Sequence, residues 1–196
     1  MILFRLALLI LLGSLLGDAQ TCDDIRAFDF RNATIHSASF DDNELASLFN
    51  SSRHFNFQFK NGVADLYIRG HQYQDGIPEA RAKIVADEVA VVPDGPTVRF
   101  LQLNWEHLKG TGSFAAVIGL TCSNGEAKPI FQFSADAVTF AIGPGDHLEI
   151  QQDIWTDKDA HCCPSQRRKI YYGWSADQRR FQRLRVDGPN PIPERH

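Results

Sequence analysis

The chain has 196 residues, 43% of them hydrophobic and 22% charged, with a formal net charge of −4. This is ample apolar content for one domain with a sizeable core, which excludes a disordered chain, and the acidity argues against nucleic acid as the main partner. The charge is unevenly spread: Arg167, Arg168, Lys169, Arg179, Arg180, Arg183 and Arg185 crowd one stretch, opposed within it by Asp177 alone.

The first 19 residues read as a secretory signal. Arg5 gives a positive start, Leu6 to Leu16 an apolar run, and Gly17-Asp18-Ala19 the small residues of a cleavage site after Ala19. The run is too short to remain as a membrane anchor, and Thr21 before Cys22 is the wrong residue for lipidation. A secreted or periplasmic protein is expected, with no transmembrane segment in the mature chain. Residues 20–187 then form a single β-rich domain, and 188–196 a flexible, proline-punctuated tail.

An oxidising compartment makes the four cysteines, Cys22, Cys122, Cys162 and Cys163, structural. Three pairings are possible. Adjacent residues of an extended segment point to opposite faces, and disulfides need facing Cβ vectors. Cys162 and Cys163 are therefore expected to reach different partners, with Cys122 bonded to one of them and Cys22 to the other.

In chain order, 27–35 alternates imperfectly and predicts a first strand. Asp41-Asp42-Asn43 before Leu45, Leu48 and Phe49 predicts one short capped helix. Phe55, Phe57 and Phe59 alternate strictly up to Asn61-Gly62, a two-residue hairpin turn, with a partner strand over 63–68. Asn32 and Asn50 fit the N-glycosylation pattern, which matters only in a eukaryotic host. Further strands are expected over 82–92, 98–105, 114–122, 130–133, 137–142, 147–155, 169–174 and 180–186, separated by Gly, Pro and Asn turns. The 114–122 run is apolar enough to be covered on both faces. The fold class is mainly β: an antiparallel sandwich or barrel with one short helix, stapled by disulfides.

Five features in this order form a pattern: the Asp29-to-Ile35 strand, the Asn61-Gly62 hairpin, a Gly110-Thr111-Gly112-Ser113-Phe114 segment, a Gly145-Asp146 turn, and Cys162-Cys163-Pro164-Ser165-Gln166. The chain resembles exported bacterial proteins related to the LppP/LprE-like lipoproteins, which carry a G-x-G-x-F strand and a C-C-P-T/S-Q segment. The resemblance implies export, a β-rich fold and disulfides at the Cys162-Cys163 segment, and it implies no activity. Two family features are missing, the lipobox and an Asp/Gly-rich loop before the glycine-rich strand, so no cation-binding role carries over.

The chemistry-bearing residues admit two functional classes. No nucleophile elbow, H-E-x-x-H or phosphate loop occurs. His161-Cys162-Cys163 lacks the spaced ligand pairs of a zinc site, and no metal or cofactor is called for. Trp105, Trp155, Trp174, Tyr171 and Tyr172 either fill strand faces or make an aromatic platform. The favoured class is a non-catalytic envelope or extracellular protein. Its ligand is unassigned, and its contact surface is the basic edge of Arg167, Arg168, Lys169, Arg179, Arg180, Arg183 and Arg185, facing an anionic glycan, lipid surface or protein. The alternative is a secreted hydrolase with a cleft of acids and histidines around Asp146 to Asp157.

Overall fold

The structure, a computed structural model, describes residues 21–36, 56–66, 80–107, 113–160 and 163–192. A 3-10 turn, Phe30–Asn32, precedes eleven strands: β1 (Thr34–His36), β2 (Asn56–Gln58), β3 (Val63–Leu66), β4 (Ala80–Val91), β5 (Thr97–His107), β6 (Ser113–Ser123), β7 (Glu126–Ala135), β8 (Val138–Ile142), β9 (Leu148–Ile154), β10 (Gln166–Ser175) and β11 (Arg180–Pro191). The expected short helix at 41–49 and the expected signal segment lie outside the described residues.

Two antiparallel meanders dominate, β3-β4-β5-β6-β7 and β8-β9-β10-β11, with a small ribbon, β1-β2, beside them. Among the described residues no hydrogen-bonded strand pair joins the two large sheets, so the fold is a sandwich and not a closed barrel. Strict alternation explains most pairings, because a one-residue slip would turn every apolar side chain outward.

The five-stranded sheet is apolar on both faces. On one face Leu101, Leu103 and Trp105 of β5 and Ala116, Ile118 and Leu120 of β6 pack under Ile25, Phe28, Phe30, Ile35, Phe57 and Phe59. On the other, Val98, Phe100, Ala115, Val117 and Phe131 meet Val138, Leu148, Ile150 and Ile170 of the four-stranded sheet. Both faces of β5 and β6 are thus buried, which is why their sequences read as nearly continuous apolar runs. Phe100, fully buried, is the pivot of the inter-sheet layer: its ring centroid lies 6.0 Å from those of Phe131 and Phe140 and 5.5 Å from that of Phe181. It sits on Gly119, where a Cβ would come within 2.8 Å of the ring. A side chain at 119 would therefore push the sheets apart.

The N-terminal segment is held to the sheet by a disulfide between Cys22 and Cys122, 100 residues apart, and by the Cys22 N–H donating to the Gly125 carbonyl at 2.8 Å. This corrects the expected pairing, in which each of these cysteines bonded to the vicinal pair. The cause is strand order: the β6–β7 turn at Asn124-Gly125 presents Cys122 directly beside the incoming Cys22. Cys163 is also disulfide-bonded, and the chain's one other cysteine, Cys162, lies outside the described residues. Arg99 adds a polar clamp. Its guanidinium lies 4.0 Å from the Phe30 ring centroid, donates to the Arg26 carbonyl at 2.9 Å and pairs with Asp87 at 2.5 Å.

Three further expectations are revised. The strand read over 27–35 begins instead as the 3-10 turn, because the Asp29 carboxylate accepts the Arg31 N–H and caps it, leaving Thr34–His36 extended. The Asn61-Gly62 turn forms, with φ of 53° and 79° and a Lys60–Val63 bridge, but its strands part at once. β2 pairs with β1 while β3 pairs with β4, so that Phe57 and Phe59 reach the core beside Trp105. The tail read as frayed continues β11 through Pro191: Asn190 pairs with Arg167, Pro191 with Gln166, and the Ile192 N–H donates to the Ser165 carbonyl. Backbone pairing with the start of β10 outweighs the proline content.

Candidate functional site: the basic hairpin and an adjoining polar cavity

The seven basic residues singled out in the sequence all lie on β10, β11 and their connecting turn. Register divides them into two groups. Arg167 stands opposite Asp153 of β9 and pairs with it at 2.5 Å. Lys169 reaches Glu149 at 2.7 Å. Arg185 pairs with Asp187 at 3.0 Å and lies 4.3 Å from the Tyr171 ring centroid. These three cations are neutralised, and each is held in its charged form chiefly by the hydrogen bond its partner accepts, from Asp153, Glu149 and Tyr171 respectively.

The other four, Arg168, Arg179, Arg180 and Arg183, have no carboxylate partner among the described residues. Two of them are oriented without being neutralised. Arg168 Nε donates to the Gln152 side-chain oxygen at 2.8 Å, and Arg180 Nε to that of Gln178 at 2.7 Å. A glutamine fixes a guanidinium but leaves its full charge for a partner. Arg179 sits at the tip of the hairpin with φ 50°. Arg183 stands opposite Tyr172, and Arg180 opposite Ser175. Along the hairpin, Arg168 and Arg180 stand about 23 Å apart at about 3.3 Å per residue; Arg168 and Arg183 share the sheet face of Tyr172, whereas Arg180, opposite Ser175, projects from the other face.

Tyr172 lies between Arg168 and Arg183 on the face they share. Burial pushes its phenol above the ordinary value of 10.0, and the positive charges of Arg183 and Arg168 pull back against that rise. Its ring packs edge-on against Phe131, 5.0 Å between centroids, so the arginines border the inter-sheet core.

The aromatic residues do not assemble into one platform. Trp105 is buried and stacks on Phe57, Trp174 packs edge-on against Phe181, and Tyr171 lies on the opposite sheet face under Arg185. Of the acids expected to line a hydrolytic cleft around Asp146 to Asp157, Glu149 and Asp153 are held in ion pairs; just beyond that span, Asp159 accepts the Thr156 and Ser165 N–H groups. Asp159 is thereby held below the ordinary value of 3.8. Among the described residues no group of three or more His, Cys, Asp or Glu side chains could hold a metal ion; His161 and Cys162 lie outside them.

One cavity of about 260 Å³ opens at the corner where β7 passes into β8. Gln102, Asn104, Asp136, Gln151, Asp153 and Arg167 line it, with Ala115 and Val138 as apolar wall. Of these, only Arg167 and Asp153 stood out in the sequence. Gln102 and Asn104 carried a signal all the same: two polar residues at alternate positions in the apolar 98–105 strand fall on the face that holds Val98 and Phe100.

No family model matches this chain, and neither a curated protein nor a solved structure matches it. No helix among the described residues is long and apolar enough to cross a membrane.

Proposed function

We propose that the chain is an exported, non-catalytic β-domain that binds an extended anionic partner along its C-terminal hairpin. The observation that carries this reading is the division of the hairpin's cations: Arg167, Lys169 and Arg185 are neutralised, whereas Arg168, Arg179, Arg180 and Arg183 keep their charge along the hairpin's length. Unneutralised cations spread over about 23 Å of hairpin suit a chain of repeating negative charges better than one small anion. Export is supported by the N-terminal sequence and by the Cys22–Cys122 disulfide, a bond that persists in oxidising compartments.

The test is salt-dependent retention on immobilised heparin, a linear polyanion, with anionic vesicles as a second arm. Wild-type protein should elute later than Arg179→Glu/Arg183→Glu, and both should share one unfolding midpoint. Equal elution of the two proteins refutes the reading.

A second reading has one observation in its favour. Asp136 and Asp153 line the same cavity, as a hydrolase with paired carboxylates requires. Against it, Asp153 is engaged by Arg167 and no histidine lines the cavity. Hydrolysis of chromogenic glycosides that disappears in Asp136→Asn would favour this second reading.

A further inference from the structure

The cavity at the β7–β8 corner is a second candidate site, independent of the unneutralised hairpin arginines. Its most informative residue is Gln102, in the middle of β5 and 9% exposed. Its neighbours in register are Ala86 on β4 and Val117 on β6, so an apolar side chain at 102 would suit the sheet. Burying an amide costs free energy unless it is hydrogen-bonded. Gln102 has one such bond, from its Nε2 to the Asn104 side-chain oxygen at 3.3 Å, which leaves its carbonyl oxygen and the Asn104 amide nitrogen for the cavity.

The wall facing this pair is also built from groups held in place. Gln151 Nε2 donates to Glu149 at 3.1 Å, and the Asp153–Arg167 pair closes at 2.5 Å. Asp136, in the turn between β7 and β8, adds a second carboxylate. The charges decide the class of ligand. With Arg167 neutralised by Asp153, Asp136 leaves an excess of one negative charge, which disfavours phosphate, sulfate and carboxylate ligands. No metal-binding group of three or more candidate ligands is present among the described residues.

What remains is a set of amides that donate and accept and carboxylates that accept, beside the apolar surface of Ala115 and Val138. A hydroxyl group donates one hydrogen bond and accepts two, so a neutral polyol matches this set, and its C–H groups match the apolar wall. The volume of about 260 Å³ is below the range of drug-sized pockets, about 300–1,000 Å³, and accommodates one sugar ring. We infer that this cavity binds a neutral monosaccharide unit, with Gln102, Asn104, Gln151 and Asp136 as its hydrogen-bonding groups.

The test is NMR of the mature protein titrated with glucose, galactose and N-acetylglucosamine to about 10 mM, following the side-chain amide signals of Gln102, Asn104 and Gln151. At least one sugar should shift these signals saturably. Gln102→Leu, which keeps the volume of the buried side chain, and Asn104→Ala, at an exposed position that spares the core, should each weaken binding about tenfold. Arg179→Glu/Arg183→Glu should leave sugar binding unchanged, so this inference and the hairpin reading stand or fall separately. Absence of any shift, shifts that persist unchanged in both cavity variants, or tighter binding of inorganic phosphate than of any sugar would overturn it.

Discussion

Replacing Cys22 and Cys122 together with alanine tests how the N-terminal segment is secured. The bond closes a loop of 100 residues. In the chain-entropy model such a loop removes enough freedom from the unfolded chain to stabilise the fold by about 4–5 kcal/mol at 25 °C. A domain of this size is stable by about 5–15 kcal/mol in total, so the bond accounts for about a quarter of it or more. Alanine is the right replacement, because Cys22 is 2% exposed and a serine hydroxyl there would add a desolvation cost of its own. Changing both positions also leaves no free thiol to exchange with Cys163. Equilibrium guanidinium unfolding should show a midpoint lowered by most of that amount and a slightly steeper dependence on denaturant, since the unfolded chain becomes less constrained. A loss below about 1 kcal/mol would refute the reasoning and show that the apolar contacts of Phe28, Phe30, Ile35, Phe57 and Phe59 hold the segment unaided.

Phe100→Ala should cost about 3–5 kcal/mol in the same assay, because it empties the space between Phe131, Phe140 and Phe181 at the centre of the inter-sheet layer; a cost near zero would mean that the sheets are joined elsewhere. Asp159 should titrate below 3.8 by carbon-detected NMR, since the N–H groups of Thr156 and Ser165 favour its ionised form. With the folded value depressed, its contribution is present above 3.8 and lost as pH falls through the folded value, so amide-exchange protection of Thr156 and Ser165 should disappear over that acid range and be weak at every pH in Asp159→Asn. Tyr172 should ionise above 10.0 in an ultraviolet difference titration, and Arg183→Gln should raise it further by removing a charge that favours the phenolate; an unchanged value would place Arg183 away from the phenol.

Much of the fold was legible because it rests on period and turn chemistry. β4 to β11 fall close to the predicted strands, and the unbroken run at 114–122 did mark a strand covered on both faces. Long-range geometry was not legible. The local argument that each vicinal cysteine bonds to Cys22 or Cys122 is overruled, since those two take each other while Cys163 is bonded as well, and that Cys122 faces Cys22 depends on the β6–β7 turn carrying it to the chain's entry point. Pro189 and Pro191 argued for a frayed tail, yet the pairing of Asn190 with Arg167 is tertiary and invisible to propensity. The basic stretch was legible as a list, but not as two groups. Which of Arg167 and Arg168 meets a carboxylate and which a glutamine follows from the β9–β10 register, and a shift of one residue would exchange them. The cavity was missed for a related reason: its walls come from β5, β6, β8, β9, β10 and the β7–β8 turn, and only Gln102 and Asn104 broke a local pattern.

The central claim is that the hairpin's unneutralised arginines form its contact surface. The most direct measurement is an arginine side-chain NMR map of the mature protein titrated with a heparin oligosaccharide at low salt. The account predicts that the Nε–H signals of Arg168, Arg179, Arg180 and Arg183 shift together and saturably, while those of Arg167 and Arg185 hold still in their ion pairs. Shifts confined to arginines outside the hairpin, or equal shifts at Arg167 and Arg185, would contradict it.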